Sequence, residues 1–81
     1  MEKIIILDKE ELATKGEQVY ALLQSSLETQ HRGEFIAIEP ESGEYFLGKR
    51  AVEALNKARQ KYPHRVFYLA RIGFPSAAIH Y

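Results

Sequence analysis

The sequence lacks several residue types that define whole classes of protein. It contains no cysteine and no tryptophan, and Asp8 is its only aspartate. Without cysteine there is no disulfide framework, no thiolate nucleophile and no cysteine-based zinc site. The absence of disulfides is compatible with a reducing compartment, and we expect a cytoplasmic protein.

Long apolar runs are also missing. The longest one near the N-terminus is Ile4–Leu7, and Asp8 ends it after four residues. A signal peptide needs about 7–15 apolar residues and a membrane-spanning helix about 20. We therefore expect no membrane partner, and the length of 81 residues predicts one domain over 1–81.

The net charge is zero as well, but the acidic and basic residues are concentrated in different halves of the chain. Eleven basic residues balance eleven acidic ones. Residues 1–48 hold ten acids against four bases, whereas residues 49–81 hold seven bases against Glu53 alone. The halves therefore carry −6 and +6. Such an asymmetry is typical of a binding surface or of self-association.

The first regular element is a helix over about residues 8–30. Asp8 suits the N-cap position, and Glu11 completes a capping-box pattern. One helical face carries the apolar residues Leu12, Val19, Tyr20, Leu23 and Leu27. Gly16 lies on the same face, where it either allows close packing or interrupts the helix.

The rest of the chain predicts a β-hairpin, a second helix and a last strand. The hairpin strands cover residues 34–39 and 44–47, with Pro40–Gly43 as the turn. The second helix covers 49–62 with Ala51, Ala54, Leu55, Ala58 and Tyr62 on one face. The last strand, 66–72, is apolar on both faces, and the tail 73–81 has little regular pattern.

These elements predict an α+β fold with the order α-β-β-α-β. A three-stranded sheet in the order 2-1-3 places strand 34–39 at the centre, antiparallel to the last strand. Residues 3–7 offer an extra strand, within the chain or exchanged with a partner. The two helices either cover one sheet face each or share a face and leave the other as an interface.

Enzymatic motifs are scarce. Phosphate-binding loops, dinucleotide fingerprints and nucleophile motifs are missing, and His31, His64 and His80 are too widely spaced for a paired metal site. The glutamates of the hairpin turn can ligate a divalent cation or form a solvated acidic turn, and we favour the solvated turn. We predict a protein that is not an enzyme and has no cofactor or metal.

The second helix supplies the candidate anion or nucleic-acid contacts Lys49, Arg50, Lys57 and Lys61. The last three form a ridge on one helical face, which fits a phosphate backbone and also fits an ordinary solvated face. Lys49 and Arg50 lie at the positive end of the helix dipole. They form either an anion site with Gly48 or a pair with the hairpin glutamates Glu39, Glu41 or Glu44, and we favour the pairing.

The apolar tail supplies the candidate partner-binding residues Phe74, Ile79 and Tyr81. Two interpretations stay open. The tail packs over the sheet, which is the more common arrangement, or it is an exposed docking segment anchored by these side chains in a partner.

Four stretches resemble a family of small uncharacterised prokaryotic proteins. They are Arg32-Gly33-Glu34-Phe35-Ile36-Ala37-Ile38, Glu41-Ser42-Gly43-Glu44-Tyr45, Glu53-Ala54-Leu55 and Phe67-Tyr68-Leu69-Ala70-Arg71-Ile72-Gly73-Phe74-Pro75-Ser76-Ala77-Ala78. The Arg-Ile-Gly-Phe-Pro block is the most specific part. The chain departs from the family at Gly48-Lys49-Arg50, where relatives tend to carry an acidic residue, and in its last four residues.

The resemblance implies a two-gene module of the toxin–antitoxin type, because genes of this family often lie beside genes for retropepsin-like aspartic protease domains. The resemblance implies no catalytic or binding residues for this chain. We therefore expect a small protein-interaction module, an antitoxin-like or regulatory partner of a neighbouring gene product, or a homodimer. The alternative is nucleic-acid binding through the basic second helix.

Overall fold

The computed structural model describes residues 9–80, with side chains described for residues 10–74. The elements are α1 (Lys9–His31), β1 (Phe35–Ile38), β2 (Tyr45–Gly48), α2 (Ala51–Lys61), β3 (Tyr68–Arg71) and β4 (Phe74–His80). The predicted cap at Asp8 and the optional strand at residues 3–7 lie outside the described residues.

The strands form one antiparallel sheet in the order β2-β1-β3-β4. The α+β class and the predicted 2-1-3 order of the first three strands are confirmed, because β1 lies between β2 and β3. In the register, Phe35 of β1 is opposite Gly48 of β2 on one side and Arg71 of β3 on the other. The central strand therefore joins the acidic half of the chain to the basic half.

The tail adds a fourth strand that the sequence analysis did not predict. Phe74 pairs with Arg71, and Ile79 with Leu69, across a register shift in β3. The tail sequence does not indicate a strand, because Pro75 lacks a backbone N–H donor and the small residues after it show no alternation of apolar and polar side chains. An edge position tolerates both features.

Each helix covers one face of the sheet, so the first of the two expected arrangements is correct. The α1 side of the sheet carries the buried residues Ile36, Ile38, Tyr68, Ala70 and Ile72, packed with Leu27. The α2 side carries Ala37, Phe67 and Leu69, packed with Ala54, Leu55 and Ala58. The prediction that the last strand is buried on both faces is confirmed.

Gly16 brings α1 close to the sheet. A Cβ atom at this position would overlap Cγ of Tyr68. The helix continues through Gly16 without a break. The glycine therefore serves close packing, and Leu12 and Leu27 are buried on the same face of the helix.

We predict that Gly16→Ala destabilises the protein. Alanine improves helix propensity by about 1 kcal/mol, but the added methyl group collides with the buried Tyr68 ring. Overpacking of this kind typically costs about 1–3 kcal/mol, so a net loss is expected in urea unfolding. Ser26→Ala, on the exposed face of α1, is the matched control and should be neutral or slightly stabilising. A more stable Gly16→Ala variant would contradict the close approach.

Candidate functional site

The cations at the start of α2 have no acidic partner among the described residues. Lys49 and Arg50 are exposed. Arg50 is the N-cap of α2 and makes no side-chain capping bond, although its carbonyl accepts the N–H groups of Glu53 and Ala54. The expectation that Glu39, Glu41 or Glu44 neutralises this pair is wrong, since all three glutamates bind other cations.

These three glutamates belong to residues 39–44, which we call the acidic turn. Each of them is paired with a cation from a different part of the fold. The pairs are Glu41 with Lys15 of α1 at 2.8 Å, Glu44 with Lys61 of α2 at 2.8 Å, and Glu39 with Arg65 at 3.2 Å. The turn is therefore tied to α1, to the end of α2 and to the loop before β3.

Glu39 is the buried member of the turn, with a side chain only 2% exposed. Its two carboxylate oxygens accept the backbone N–H groups of Glu41 and Ser42, each at 3.0 Å. Its own backbone bonds to Glu44 and Gly43 close the hairpin. The carboxylate thus supplies acceptors that the turn would otherwise lack, and Arg65 balances its charge.

The predicted basic ridge is divided by internal contacts. Lys57 donates to the carbonyl of Leu47 in β2 at 2.8 Å, and Lys61 is paired with Glu44. Of the three ridge residues, Arg50 alone makes no side-chain bond to a described residue. Two of the three cations are therefore occupied in shaping the fold.

The ion pairs shift the pKa values of their members. The Lys61 ammonium and the Tyr62 hydroxyl, which donate to the Glu44 carboxylate at 2.8 and 2.7 Å, hold the pKa of Glu44 below its ordinary 4.5. In return, Glu44 raises the pKa of Lys61 above 10.5. The hydrogen bond to Glu41 likewise raises the pKa of Lys15. Within the described residues, no three acidic or histidine side chains are placed to hold a metal ion.

A second cluster lies where β1, β3 and the start of β4 meet. We call Arg32, Phe35, Arg71 and Phe74 the arginine corner. Cζ of Arg71 is 4.3 Å from the centre of the Phe74 ring and 5.7 Å from that of Phe35. Cζ of Arg32 is 6.0 Å from the Phe74 ring. These distances fit cation–π contacts, which are strongest where the pair is desolvated.

Backbone bonds hold the arginine corner in place. The Gly33 N–H donates to the carbonyl of Ile72, and the Ile72 N–H donates to that of Glu34, both at 2.8 Å. Gly73 has a φ of 87°, which favours glycine, and its N–H donates to the Tyr20 hydroxyl of α1 at 3.3 Å. The loop after α1 and the β3–β4 turn therefore form one frame.

The corner displays an apolar ring beside positive charge. Phe74 is 40% exposed, and both arginines are exposed. Arg71 donates through Nε to the carbonyl of Gly33 at 3.1 Å. Neither arginine forms an ion pair with a described carboxylate, because Glu34, the acid nearest in sequence to Arg32, is bonded to His31. The surface can bind an anion and an apolar group together.

The structure separates the three tail residues predicted to contact a partner. Phe74 lies in the arginine corner. Ile79 lies in β4, opposite Leu69, and its side chain is outside the described part of the structure. Tyr81 lies outside the described residues altogether.

Sequence reasoning missed the two arginines of the corner. No binding role was assigned to Arg32 or Arg71 from the sequence. A signal was present, because Arg32–Phe35 and Arg71–Phe74 both follow the pattern Arg-x-x-Phe with a glycine between. Both segments also belong to the stretches that carry the family resemblance.

A small cleft between α1 and β3 is a weaker candidate. Its volume is about 210 Å³, and Glu17, Tyr20, Gln24 and Tyr68 are among its seven lining residues. Burial, with a smaller contribution from the Glu17 charge, raises the pKa of Tyr68 above its ordinary 10.0. Typical small-molecule pockets enclose about 300–1,000 Å³, so this cleft is small for a substrate.

Comparisons with protein-family models, curated proteins and solved structures found no match for this chain. Within the described residues, neither helix combines the length and the apolar character that crossing a membrane requires.

We predict that Glu39→Gln lowers the free energy of unfolding by about 1–3 kcal/mol, the usual cost of weakening hydrogen bonds to a buried charged group. The amide keeps the shape of the side chain but removes the ion pair and replaces one acceptor oxygen by a donor. Urea unfolding measures the loss. Glu41→Gln, which removes a pair exposed to solvent, is the matched control and should cost clearly less. Equal losses would contradict the organising role of Glu39.

We also predict that Glu44 makes stability depend on acid pH. Because its pKa is lowered by folding, its stabilising contribution is complete above its ordinary pKa of 4.5 and is lost as pH falls through the lower folded value. The difference in unfolding free energy between wild type and Glu44→Gln should be constant near neutrality and shrink below about pH 4.5. Tyr62→Phe, which keeps the Lys61 pair, should show a smaller change. A difference that is independent of pH would contradict this assignment.

Proposed function

We propose that the protein is a protein-interaction module whose partner contacts the arginine corner. The observation that carries this proposal is the 40% exposed Phe74 ring, held beside Arg71 and Arg32 by a fixed backbone frame. Arginine is enriched at binding hot spots, and phenylalanine and arginine are both enriched in protein interfaces relative to the rest of the surface. A surface that is already ordered also loses little conformational entropy when a partner binds.

A protein partner fits these contacts better than a nucleic acid does. Lys57 and Lys61 of the basic helix donate to Leu47 and Glu44 within the fold. Arg50 and Lys49 are left as a short exposed pair. A phosphate backbone is usually bound by a longer basic track with several free cations, so the helix is the weaker candidate surface.

The proposed role is that of an antitoxin-like or regulatory partner of a neighbouring gene product in the cytoplasm. The family resemblance and the absence of catalytic motifs support this role. A second copy of the chain is the alternative occupant, since the halves of the sequence carry opposite charges. The occupant in either case makes contact through Phe74.

A photo-crosslinking experiment tests the proposal. The photoreactive residue p-benzoylphenylalanine replaces Phe74 in the full chain, which is co-expressed with the product of the adjacent gene and irradiated. We expect a covalent adduct of defined mass, and mass spectrometry identifies it as the neighbouring protein or as a dimer of the chain.

The matched control places the same photoreactive residue at Val52, which is 48% exposed on α2. Adducts at position 74 but not at position 52 support the arginine corner as the contact surface. Equal adducts at both positions, or none at 74 while light scattering shows only a monomer, would overturn the proposal.

A further inference from the structure

We propose that the arginine corner binds a carboxylate of an acidic, extended segment in the partner protein, with an apolar side chain of that segment against Phe74. This inference rests on the proposed function, because it specifies the chemistry of the partner at the same surface. It follows from three features of the corner: unused donors, uncompensated charge and a short basic surface.

The guanidinium of Arg71 has donors for which residues 10–74 supply no acceptor. Its Nε atom donates to the carbonyl of Gly33, and its Cζ atom lies over the Phe74 ring at 4.3 Å. Among the described residues, its two terminal nitrogens have no acceptor. The paired N–H groups of arginine match the two oxygens of a carboxylate, which forms short, charge-assisted bonds.

The corner holds two positive charges without a counter-charge from the described residues. Both Arg71 and Arg32 approach the same Phe74 ring. The acids of the acidic turn are bound to Lys15, Lys61 and Arg65, and Glu34 is bonded to His31. Cations that share one ring repel each other, and an anion between them relieves the repulsion. Charge complementarity therefore selects an acidic partner.

The shape of the corner favours a peptide carboxylate over a strand of nucleic acid. Arg71 already lies over the Phe74 ring, so the ring offers less free surface for a stacked base. Nucleic-acid strands are usually bound by a longer row of cations and aromatic platforms. Two arginines and one partly exposed ring suit a single acidic group with an apolar neighbour.

Three labelled probes test this chemistry on the full chain. The first is a fluorescein-labelled hexapeptide, Gly-Leu-Glu-Glu-Leu-Gly, and the second has glutamine in place of both glutamates. The third is an eight-nucleotide oligothymidylate. We expect the acidic peptide alone to bind, with a Kd of about 1 mM or tighter, as is typical of a few charge-assisted contacts. Amide chemical shifts of Gly33, Gly73 and Phe74 should move with it.

Arginine variants locate the contact. Arg32→Gln removes a side chain that makes no hydrogen bond to the described residues, so folding should be preserved, and it should weaken acidic-peptide binding about tenfold. Arg71→Lys keeps the charge but loses the paired donors, and it should weaken binding several-fold. Arg50→Gln removes an equally exposed arginine at the start of α2 and should leave the affinity unchanged.

The outcomes separate this inference from the proposed function. The carboxylate assignment would be overturned if the acidic and amide peptides bound equally, if the oligothymidylate bound more tightly, or if no probe showed saturable binding. Equal losses of affinity in Arg32→Gln and Arg50→Gln would also overturn it. If partner crosslinking at position 74 also survived in the Arg32→Gln/Arg71→Lys double variant, the proposed function would stand and this inference would fail. Loss of crosslinking in that variant alone supports both.

Discussion

Both faces of the central strands β1 and β3 are apolar, and the need to cover two faces determines the rest of the structure. A sheet of four short strands cannot bury its own side chains, so one helix packs on each side. On one side the approach is so close that only glycine fits opposite the Tyr68 ring. With the interior occupied in this way, Glu39 is the one charged residue buried among those that the structure describes.

The charged side chains of the acidic turn and of the arginine corner have different roles. Around the acidic turn they are paired, and the buried carboxylate of Glu39 supplies the acceptors that close the hairpin. At the arginine corner, Arg32 and Arg71 form no ion pair with a carboxylate in the described part of the chain, and both lie beside an exposed ring. The same small domain therefore uses ion pairs to join its elements at one end of β1 and offers uncompensated cations at the other end.

Helical periodicity predicts both helices, and short apolar runs bounded by turn residues predict the first three strands. Their order follows from the rules for connections between strands. Local patterns do not predict β4, since the tail becomes a strand by pairing with the edge of β3. Nor do they match acids to bases: Lys49 and Arg50 are near the acidic turn in sequence, yet Lys15, Lys61 and Arg65 reach it in space. Arg32 and Arg71 approach the same Phe74 ring because backbone bonds join the loop after α1 to the end of β3.

Because β1 lies between β2 and β3, the sheet joins the two oppositely charged halves of the chain. Cutting the chain between Gly48 and Lys49 would separate residues 1–48, which hold β1 and β2 and carry a charge of −6, from residues 49–81, which hold β3 and β4 and carry a charge of +6. Residues 1–48 would keep α1 with β1 and β2, whereas α2 would stay with β3 and β4 and would be parted from Ala37 of β1, which it helps to bury. Opposite charge would favour association of the two fragments, and the β1–β3 pairing would lie at the boundary between them.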